Sequence, residues 1–327
     1  MMGLFSMSEY NIVHLTPTPL VGSPGKIAWA QRMKGHNALA VAWSDYPKGG
    51  PLAGKFLSHT LMIDDFTRQY IEHAIRHADI IHVHNFIPKE RAHWVRDLNQ
   101  SAVYVYQTHS PLREGPLYVN RGNEYFDYNV RLVVGQHWGR FYQSYIPVPN
   151  LILSPPSIRP RKPGEKLRIM FSPTHKHVGR WTSKYSAVLE EVLLSLAKLG
   201  QIETISPSTP VSPEILMEVR RSCHVTIDEI ATGGFHMVSL EGLCAGNIVI
   251  NRADYFSRAT FAGFCDGAMP PFTYADDSNI ASILLRLAEN PEETAIQQQI
   301  GHDYFAGFCN PLRLVEVFDA AYEHALP

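Results

Sequence analysis

The chain has 327 residues, of which 45% are hydrophobic and 18% charged, and its formal net charge is -2. This length exceeds one ordinary compact core and suits two α/β domains of roughly 150 residues each, while the composition excludes a disordered chain. The near-neutral charge excludes a broad basic surface for nucleic acid or anionic membranes.

The first half of the sequence alternates short apolar runs with stretches of helical periodicity. Runs rich in β-branched residues are typical of buried parallel strands. The predicted strands cover residues 11–15, 38–43, 79–84, 102–106, 131–134 and 150–153. The predicted helices cover residues 23–34, 64–78 and 88–99, and the first begins with Ser23 and Pro24. This alternation predicts a doubly wound α/β domain over residues 1–154.

A proline-rich, basic segment over residues 155–166 interrupts the alternation and predicts a linker. The pattern then resumes with strands over 167–171, 201–205, 224–227 and 247–250 and helices over 184–199, 213–222 and 235–245. Three closing helices begin near Ser278, Pro291 and Pro311. We expect a second Rossmann-like domain over 167–310 and a final amphipathic helix over 311–327.

One stretch of the second half combines a strand, a glycine turn, a helix that carries an acid and a further strand. Gly234 lets the backbone approach a ligand, and the amides of His236, Met237 and Val238 at the helix start can receive a diphosphate. Glu241 can accept hydrogen bonds from the hydroxyls of a nucleotide ribose. The same pattern also fits an ordinary turn before a solvated helix.

This stretch resembles the donor-binding element of retaining GT-B glycosyltransferases of the large family-four (group 1) type. The matching residues are Gly234, Phe235, Glu241, Ala245, Gly246, Val249 and Ile250. Gly233 stands where that family has a first Glu facing the donor sugar, so we expect Asp228 or Glu229 to take over part of its role. The resemblance implies a GT-B fold, with two facing Rossmann-like doubly wound domains and a C-terminal helix crossing back to the first.

A basic segment follows the strand that opens the second domain. Thr174, Lys176, Arg180 and Lys184 resemble the loop that supplies cations to the donor diphosphate in the family. Cations suit this place, because the leaving nucleoside diphosphate gains negative charge as the glycosidic bond breaks. The alternative interpretation is a solvated basic loop.

Further resemblances lie in the first domain. Gly22 is the counterpart of a glycine loop near the donor phosphate and acceptor, and residues 79–84 match an Asp-Ile-x-His-x-His strand. A strand ending in Thr-x-His implies that His109 contacts the donor sugar or phosphate. His82 and His84 face the same way on their strand, and we favour a packing or hydrogen-bonding role over a metal pair, since two ligands alone make no metal site.

These features together predict a metal-independent, retaining glycosyltransferase that moves a sugar from a nucleotide-diphosphate sugar, without any cofactor. The acceptor is left open between a glycan, a lipid-linked glycan, a protein and modified nucleic acid. One alternative is a nucleotide-sugar epimerase or phosphorylase of the same fold. Another is an inactive sugar-binding protein, for which Gly233 is the motive.

The remaining expectations concern cysteine chemistry and location. The four cysteines form no CxxC pair, which favours buried free thiols. The sequence has no apolar run near the ~20 residues of a membrane span and no secretory signal pattern at its start, so we expect a cytoplasmic protein without a transmembrane segment.

Overall fold

A computed structural model describes residues 9–110, 125–172, 184–207, 209 and 211–326, with the side chains of residues 140 and 141 excepted. The contacts of the chain divide it into two compact units. The first unit comprises Met1–Val134, Tyr142–Leu151 and Pro311–Pro327, and the second comprises Gly135–Phe141 and Ile152–Asn310.

The first unit contains a seven-stranded sheet with the order β3-β2-β1-β4-β5-β6-β7, in which every recorded pair is parallel. Its strands are β1 (Asn11–Thr16), β2 (Asn37–Ala42), β3 (Thr60–Met62), β4 (Ile80–His84), β5 (Val103–Thr108), β6 (Val130–Val134) and β7 (Ile146–Val148). Strands β4 and β5 are buried along their whole length, as apolar runs in a parallel sheet should be. The strand order reverses between β1 and β4.

Among the described residues, three α-helices connect these strands: α1 (Ser23–Met33), α2 (Arg68–Arg76) and α3 (Lys89–Leu98). Pro24 lies in the first turn of α1, where its missing N–H costs no hydrogen bond. Helices α2 and α3 bury Ile71, Ile75, Ala92 and Val95 in the core beside β1 and β4. All three predicted helices are confirmed, within a few residues at their ends.

The second unit contains a five-stranded parallel sheet with the order β12-β11-β10-β8-β9. Its strands are β8 (Leu167–Phe171), β9 (Ile202–Ile205), β10 (Val225–Ile227), β11 (Ile248–Asn251) and β12 (Thr273–Tyr274). Its helices are α4 (Trp138–Phe141), α5 (Ala187–Lys198), α6 (Pro213–Arg221), α7 (Met237–Cys244), α8 (Tyr255–Gly263), α9 (Ile280–Glu289) and α10 (Pro291–Phe308). The strand order reverses between β8 and β10.

Short polar side chains start the helices of the second unit. The hydroxyl of Ser186 accepts a hydrogen bond from the Leu189 amide of α5 at 3.0 Å, and Ser212 caps α6. Asp254 caps α8 by accepting from the Ser257 amide at 2.9 Å. Each cap satisfies an amide that the helix itself leaves without an acceptor.

The chain ends with α11 (Pro311–Leu314) and α12 (Glu316–Glu323), which belong to the first unit. The predicted single amphipathic run is therefore two helical pieces that meet at Val315. Phe318 and Tyr322 of α12 are fully buried, and the ring of Tyr322 lies edge-on to that of His82. The burial of Phe318 and Tyr322 on one side of α12 explains the amphipathic pattern of this segment.

The structure differs from the predicted elements in several places. Residues 150–152 are buried and Leu153 is half-buried, but they form no strand, and the last strand of the first sheet is β7, which precedes Pro149. Strands β3, β7 and β12 and helices α4 and α8 were not predicted. Gly135 and Gly139 pack closely against Phe264 and Phe256, which is why residues 135–141 join the second unit rather than the first.

All four cysteines are free and buried, as expected from their spacing. Within the described residues, we find no helix with the length and apolar character needed to cross a bilayer.

Candidate functional site

The second unit has a pocket at the point where its strand order reverses. In open α/β sheets, ligands bind beyond the carboxyl ends of the strands at this point. Ser172 follows β8, and Asp228 and Glu229 follow β10, and all three line the pocket. Arg220 at the end of α6, His236 before α7 and Lys184, Tyr185 and Ser186 before α5 also line it. The polar groups that could hold a ligand therefore come from several elements of one unit.

Asp228 positions His236. Its Oδ2 atom accepts from the His236 amide at 2.6 Å and from the Ser239 hydroxyl at 2.8 Å, and its Oδ1 atom lies 3.2 Å from His236 Nδ1. Burial alone would raise the pKa of Asp228, but the charge interaction with His236 and these hydrogen bonds hold that pKa below its usual value. Asp228 therefore stays ionised and orients the imidazole.

His236 offers its side chain to the pocket instead of its amide. Because the amide is bonded to Asp228, the expected role of that N–H in binding phosphate does not fit the geometry. The Nε2 atom of the same residue is buried and has no hydrogen-bond partner among the described residues. An unpartnered buried polar atom is costly, and a ligand group in the pocket would satisfy it.

Glu229 organises the turn that follows β10. Its Oε2 atom accepts from the amides of Ala231 and Thr232 at 2.6 and 2.8 Å, and its Oε1 atom is hydrogen-bonded to the Thr232 hydroxyl. Both carboxylates suggested as substitutes for the missing first Glu are thus engaged within the protein. Neither presents an oxygen without a partner to a sugar.

The start of α7 also lies at the pocket, where Val238 is part of the wall. The first amides of a helix have no intrahelical acceptor, and those of Met237 and Val238 have none among the described residues. Gly233 adopts a left-handed conformation with φ +85°, which gives the turn before this helix its shape. The start of α7 thus combines two available N–H donors with the positive end of the helix dipole.

Glu241 forms an ion pair that the sequence did not reveal. Its Oε2 atom accepts from Nε and from a terminal nitrogen of Arg220, at 3.1 and 3.0 Å. Arg220 is almost fully buried, so this carboxylate compensates its charge. One oxygen of the expected ribose-binding carboxylate is therefore engaged within the protein, and the other, Oε1, has no partner among the described residues.

The other residues predicted to bind the nucleotide-sugar donor do not all line the pocket. Lys184 lines the pocket, whereas Thr174, Lys176 and Arg180 lie outside the described residues. The side chain of Phe235 is fully buried against Phe261 and Phe272, so it cannot contact a ligand. A Cβ at Gly234 would make only an ordinary contact with Thr232, so its own surroundings do not require glycine there.

In the first unit, Gly22 ends a strained turn after β1. Leu20, Val21 and Gly22 all have positive φ, which is unusual for a β-branched residue such as Val21. A Cβ at Gly22 would lie 2.4 Å from that of Ser58, so local packing already requires glycine. A catalytic role for Gly22 stays a prediction.

His109 lies at the carboxyl end of β5 and is connected to other histidines. Its Nε2 atom is 2.8 Å from His84 Nδ1, and its amide donates to the side chain of Asn85. His84 Nε2 is in turn 2.9 Å from His14 Nδ1. His14 and His82 are paired in register on β1 and β4, the strands between which the order reverses. The favoured hydrogen-bonding role of His82 and His84 agrees with these contacts.

Comparisons with known proteins identify the architecture. No protein-family model and no curated protein sequence matches the chain. The Anabaena protein HepE, crystallised with UDP and glucose, is similar with a TM-score of 0.61 and 11% identity, over 95% of this chain and 99% of HepE. A Rickettsia africae glycosyltransferase is similar with a TM-score of 0.56 and 14% identity, over 97% and 99% of the two chains.

Sucrose-phosphate synthase from Thermosynechococcus elongatus is similar with a TM-score of 0.57 and 10% identity, over 95% of this chain and 98% of that one. Each of these matches extends over at least 95% of this chain. The chain has the GT-B fold of glycosyltransferases. The fold expected from the sequence is therefore confirmed.

Within this GT-B chain, sequence reasoning missed Arg220, which reaches the pocket from α6. The available signal was weak: a basic residue in the last turn of a helix usually just complements the helix dipole. Its partner Glu241 lies on another helix, and no local pattern couples the two. The pairing follows from the packing of α6 beside α7.

The GT-B fold also brings three histidines within reach of one another. Nitrogen atoms of His14, His82 and His84 lie within 4.8 Å of one another, and all three side chains are buried. Burial lowers the pKa of His14 to about 4, and it lowers the pKa values of His82 and His84 well below 6.5. These imidazoles are therefore neutral at pH 7.

Proposed function

We propose that the chain is a glycosyltransferase that moves a sugar from a nucleoside-diphosphate sugar to an acceptor. One observation carries this proposal: a pocket at the strand reversal of the second sheet is lined by Arg220, the oriented His236 and the start of α7. Cationic and N–H groups gathered at a strand reversal are what a diphosphate requires. HepE, which has the same fold, binds UDP and glucose, so a UDP-sugar is the first donor to test.

The same groups suit the chemistry of transfer. As the bond from the sugar carbon to the diphosphate oxygen breaks, the leaving nucleoside diphosphate gains a negative charge. We propose that the amides of Met237 and Val238 and the Nε2–H of His236 donate hydrogen bonds to that oxygen or its neighbours. Asp228 holds the ring of His236 in the orientation that this donation requires.

This assignment offers a physical reason why a chain with Gly233 at the first-Glu position could still transfer sugar. With Asp228 and Glu229 both engaged, we propose that His236 and Arg220 hold the diphosphate and that Glu241 Oε1 accepts one hydrogen bond from the ribose. The retaining outcome and the independence of metal belong to this proposal. So do the roles of Gly22, His109, Thr174, Lys176, Arg180 and Lys184.

Donor binding is tested by thermal unfolding with a panel of nucleoside diphosphates and nucleotide sugars. A ligand at 100 times its Kd stabilises the folded state by about 2.7 kcal/mol. We expect a nucleoside diphosphate to raise the melting temperature more than its nucleoside does. If no nucleoside diphosphate raises it, the proposal fails.

A matched pair of variants localises that binding. His236→Gln removes the oriented imidazole from the pocket, whereas His302→Gln makes the same change on α10, in a side chain that pairs with Asp303. We expect only His236→Gln to reduce the thermal shift given by the diphosphate. An equal reduction in both variants would place the diphosphate elsewhere.

Product analysis separates transfer from its alternatives. Incubation of the best donor with pools of glycans, lipid-linked glycans, proteins and nucleic acids should give a glycosylated product and free nucleoside diphosphate. Conversion of the donor to an isomer without an acceptor would identify an epimerase. Binding with neither transfer nor hydrolysis would identify an inactive sugar-binding protein.

A further inference from the structure

A continuous series of hydrogen-bonding side chains crosses the first unit. His109 Nε2 meets His84 Nδ1 at 2.8 Å, and His84 Nε2 meets His14 Nδ1 at 2.9 Å. His14 Nε2 then meets Gln31 Oε1 at 2.7 Å. The series therefore joins α1 to the carboxyl end of β5 through the two strands at the reversal.

The histidines of this series are neutral at pH 7. Burial is the main cause, and it lowers the pKa of His14 to about 4 and that of His109 to about 3. His84 is completely buried and its pKa is also well below 6.5. A neutral imidazole has one N–H donor and one nitrogen acceptor, so each ring must adopt one of two tautomers.

Gln31 sets the direction of the series. Its Oε1 atom can only accept, so His14 must carry its proton on Nε2 and leave Nδ1 as an acceptor. His84 must then donate from Nε2 to that Nδ1. By the same rule, His109 must donate from Nε2 to His84 Nδ1.

The other end of the Gln31 amide is consistent with this direction. Gln31 Nε2 donates to the Tyr322 hydroxyl at 3.2 Å, which leaves that hydroxyl free to donate to His82 Nδ1 at 2.7 Å. His82 then carries its proton on Nε2, and its interaction with Gln107 is favourable, although the geometry falls short of a full hydrogen bond. If the hydrogen bonds ran in the opposite direction, His82 Nε2 would be an acceptor beside another acceptor, the Gln107 carbonyl oxygen. Two acceptors form no hydrogen bond, so that arrangement is less favourable.

We propose that Gln31 is a positioning residue that holds His109, through His14 and His84, in the Nε2–H tautomer. His109 Nδ1 is then a hydrogen-bond acceptor, and it has no partner among the described residues. An acceptor suits a sugar hydroxyl, which can donate, and does not suit a phosphate oxygen, which only accepts. This inference rests on the proposed sugar transfer for its consequence, but the tautomer itself does not depend on that function.

A shared metal ion is the competing interpretation of His14, His82 and His84. The rings of His82 and His84 stack, with centroids 4.2 Å apart and an angle of 20° between their planes. Each nitrogen lone pair lies in the plane of its own ring, so the lone pairs of the two rings lie in nearly parallel planes and do not converge on one point. The Nδ1 atom of His14 already accepts from His84. The group also contains no carboxylate to offset the charge of a buried cation.

The tautomers can be measured directly in the unliganded protein. Long-range proton–nitrogen NMR spectra of protein labelled with 15N-histidine distinguish Nε2–H, Nδ1–H, charged and metal-bound rings. We expect His14, His84 and His109 each to be a single Nε2–H species at pH 7, with the His109 signals assigned by their loss in His109→Gln. An Nδ1–H species at His109 in the wild-type protein overturns the proposal, as does a metal-bound shift after addition of Zn²⁺.

Two variants separate the role of Gln31 from simple packing. Gln31→Met keeps the length of the side chain but removes the acceptor, so His109 should become a mixture of both tautomers. Tyr322→Phe removes the neighbouring hydroxyl but keeps Gln31 Oε1 against His14, so His109 should stay Nε2–H. An unchanged His109 tautomer in folded Gln31→Met overturns the proposal, and the wild-type spectrum decides the matter should that variant fail to fold.

The functional consequence is measured separately with the best donor found. Gln31→Met should lower kcat/KM by roughly 2- to 10-fold, as loss of one positioned hydrogen bond predicts. Ile27→Val, a packing change on the same helix, should leave it unchanged. A tautomer change without any loss of activity would overturn the assignment of Nδ1 to substrate, whereas failure to find any donor would refute the proposed function and leave the tautomer result standing.

Discussion

The two sheets carry opposite chemistry at equivalent places. At the reversal between β1 and β4, the side chains are neutral imidazoles, buried and hydrogen-bonded to one another. At the reversal between β8 and β10, ionised Asp228 lies beside His236, and the guanidinium of Arg220 is paired with the carboxylate of Glu241. Similar topology therefore does not dictate similar electrostatics.

The difference follows from what each side chain can find nearby. A buried imidazole can lose its proton, and a row of imidazoles then satisfies itself with neutral hydrogen bonds. A guanidinium cannot lose its proton in a protein, so buried Arg220 needs a carboxylate. The reversal between β8 and β10, with its guanidinium, is suited to a diphosphate. The reversal between β1 and β4, with its neutral imidazoles, is suited to hydroxyl groups.

The largest expected effect is a selective loss of stability of the first sheet in mild acid. Because the folded-state pKa values of His14, His82, His84 and His109 lie below that of the unfolded chain, stability is complete above about pH 6.5 and is lost as the pH falls. Each histidine contributes up to ~1.4 kcal/mol per pH unit. Hydrogen exchange at pH 7 and pH 5, corrected for intrinsic rates, should show a greater loss of protection in β1 and β4 than in β8 and β10.

The second sheet provides an internal comparison for that experiment. His224, next to β10, also has a pKa lowered to about 4 by burial. The second sheet should therefore lose the stability that one buried histidine contributes as the pH falls, whereas the first sheet should lose that of four. His14→Gln should make the response of the first sheet shallower. Equal acid sensitivity of both sheets would contradict the neutral histidine network.

The next largest effect is expected from Asp228→Asn, at the strand reversal between β8 and β10. The variant replaces a carboxylate that accepts from the His236 amide, its ring and the Ser239 hydroxyl, so we expect a loss of about 2–3 kcal/mol in the free energy of unfolding. Nucleoside diphosphate affinity should fall with it. Urea unfolding and calorimetric titration measure the two effects.

Asp303→Asn is the matched control, because that carboxylate is exposed on α10 and pairs only with surface groups. Its cost should stay within about 0.5 kcal/mol. Equal costs for the two variants would show that Asp228 does not organise the pocket.

A smaller effect should come from Glu241→Ala. The loss of one charge-assisted hydrogen bond to the ribose should weaken nucleoside diphosphate binding by roughly 1.5–2 kcal/mol. Glu241→Gln, which keeps a neutral acceptor, should weaken it less. Calorimetric titration measures both, and Glu218→Ala, which breaks the exposed pair with Arg221, should change nothing. Unchanged affinity in Glu241→Ala would remove Glu241 from the donor site.

The smallest expected effect is that of a chelator, which should leave turnover unchanged. In the proposed donor site, His236, Arg220 and the start of α7 would supply donors for the leaving diphosphate without a divalent cation. Turnover is measured with the best donor in excess EDTA and after addition of Mg²⁺ or Mn²⁺. Loss in EDTA followed by recovery with metal would refute metal independence.

The strands with strong local patterns were predictable, and those fixed by neighbours were not. Strand β8 begins and ends where its apolar run does, and α6 begins at Pro213, as predicted. The short strand β3 and the edge strand β7 carry little pattern of their own, and pairing with β2 and β6 creates them. Residues 150–153 show the reverse case, a largely buried run that forms no strand.

The candidate site divides in the same way. Its position after β10, the residues at the start of α7 and the acid at Glu241 could be read from the sequence, because they are close together along the chain. The ion pair from Arg220 and the engagement of Glu229 in its own turn could not, since each depends on where a side chain finds a partner.

By itself, the sequence determined the α/β pattern, the place of the glycine turn and some of the polar groups of the candidate site, because periodicity and local spacing are properties of the chain alone. Only the tertiary structure decided which of those groups keep a charge. Burial and the nearest partner set the protonation of a side chain, and both arise when distant segments pack together. That is why His14, Gln31 and His109 form one series, and why His236 presents its ring rather than its amide.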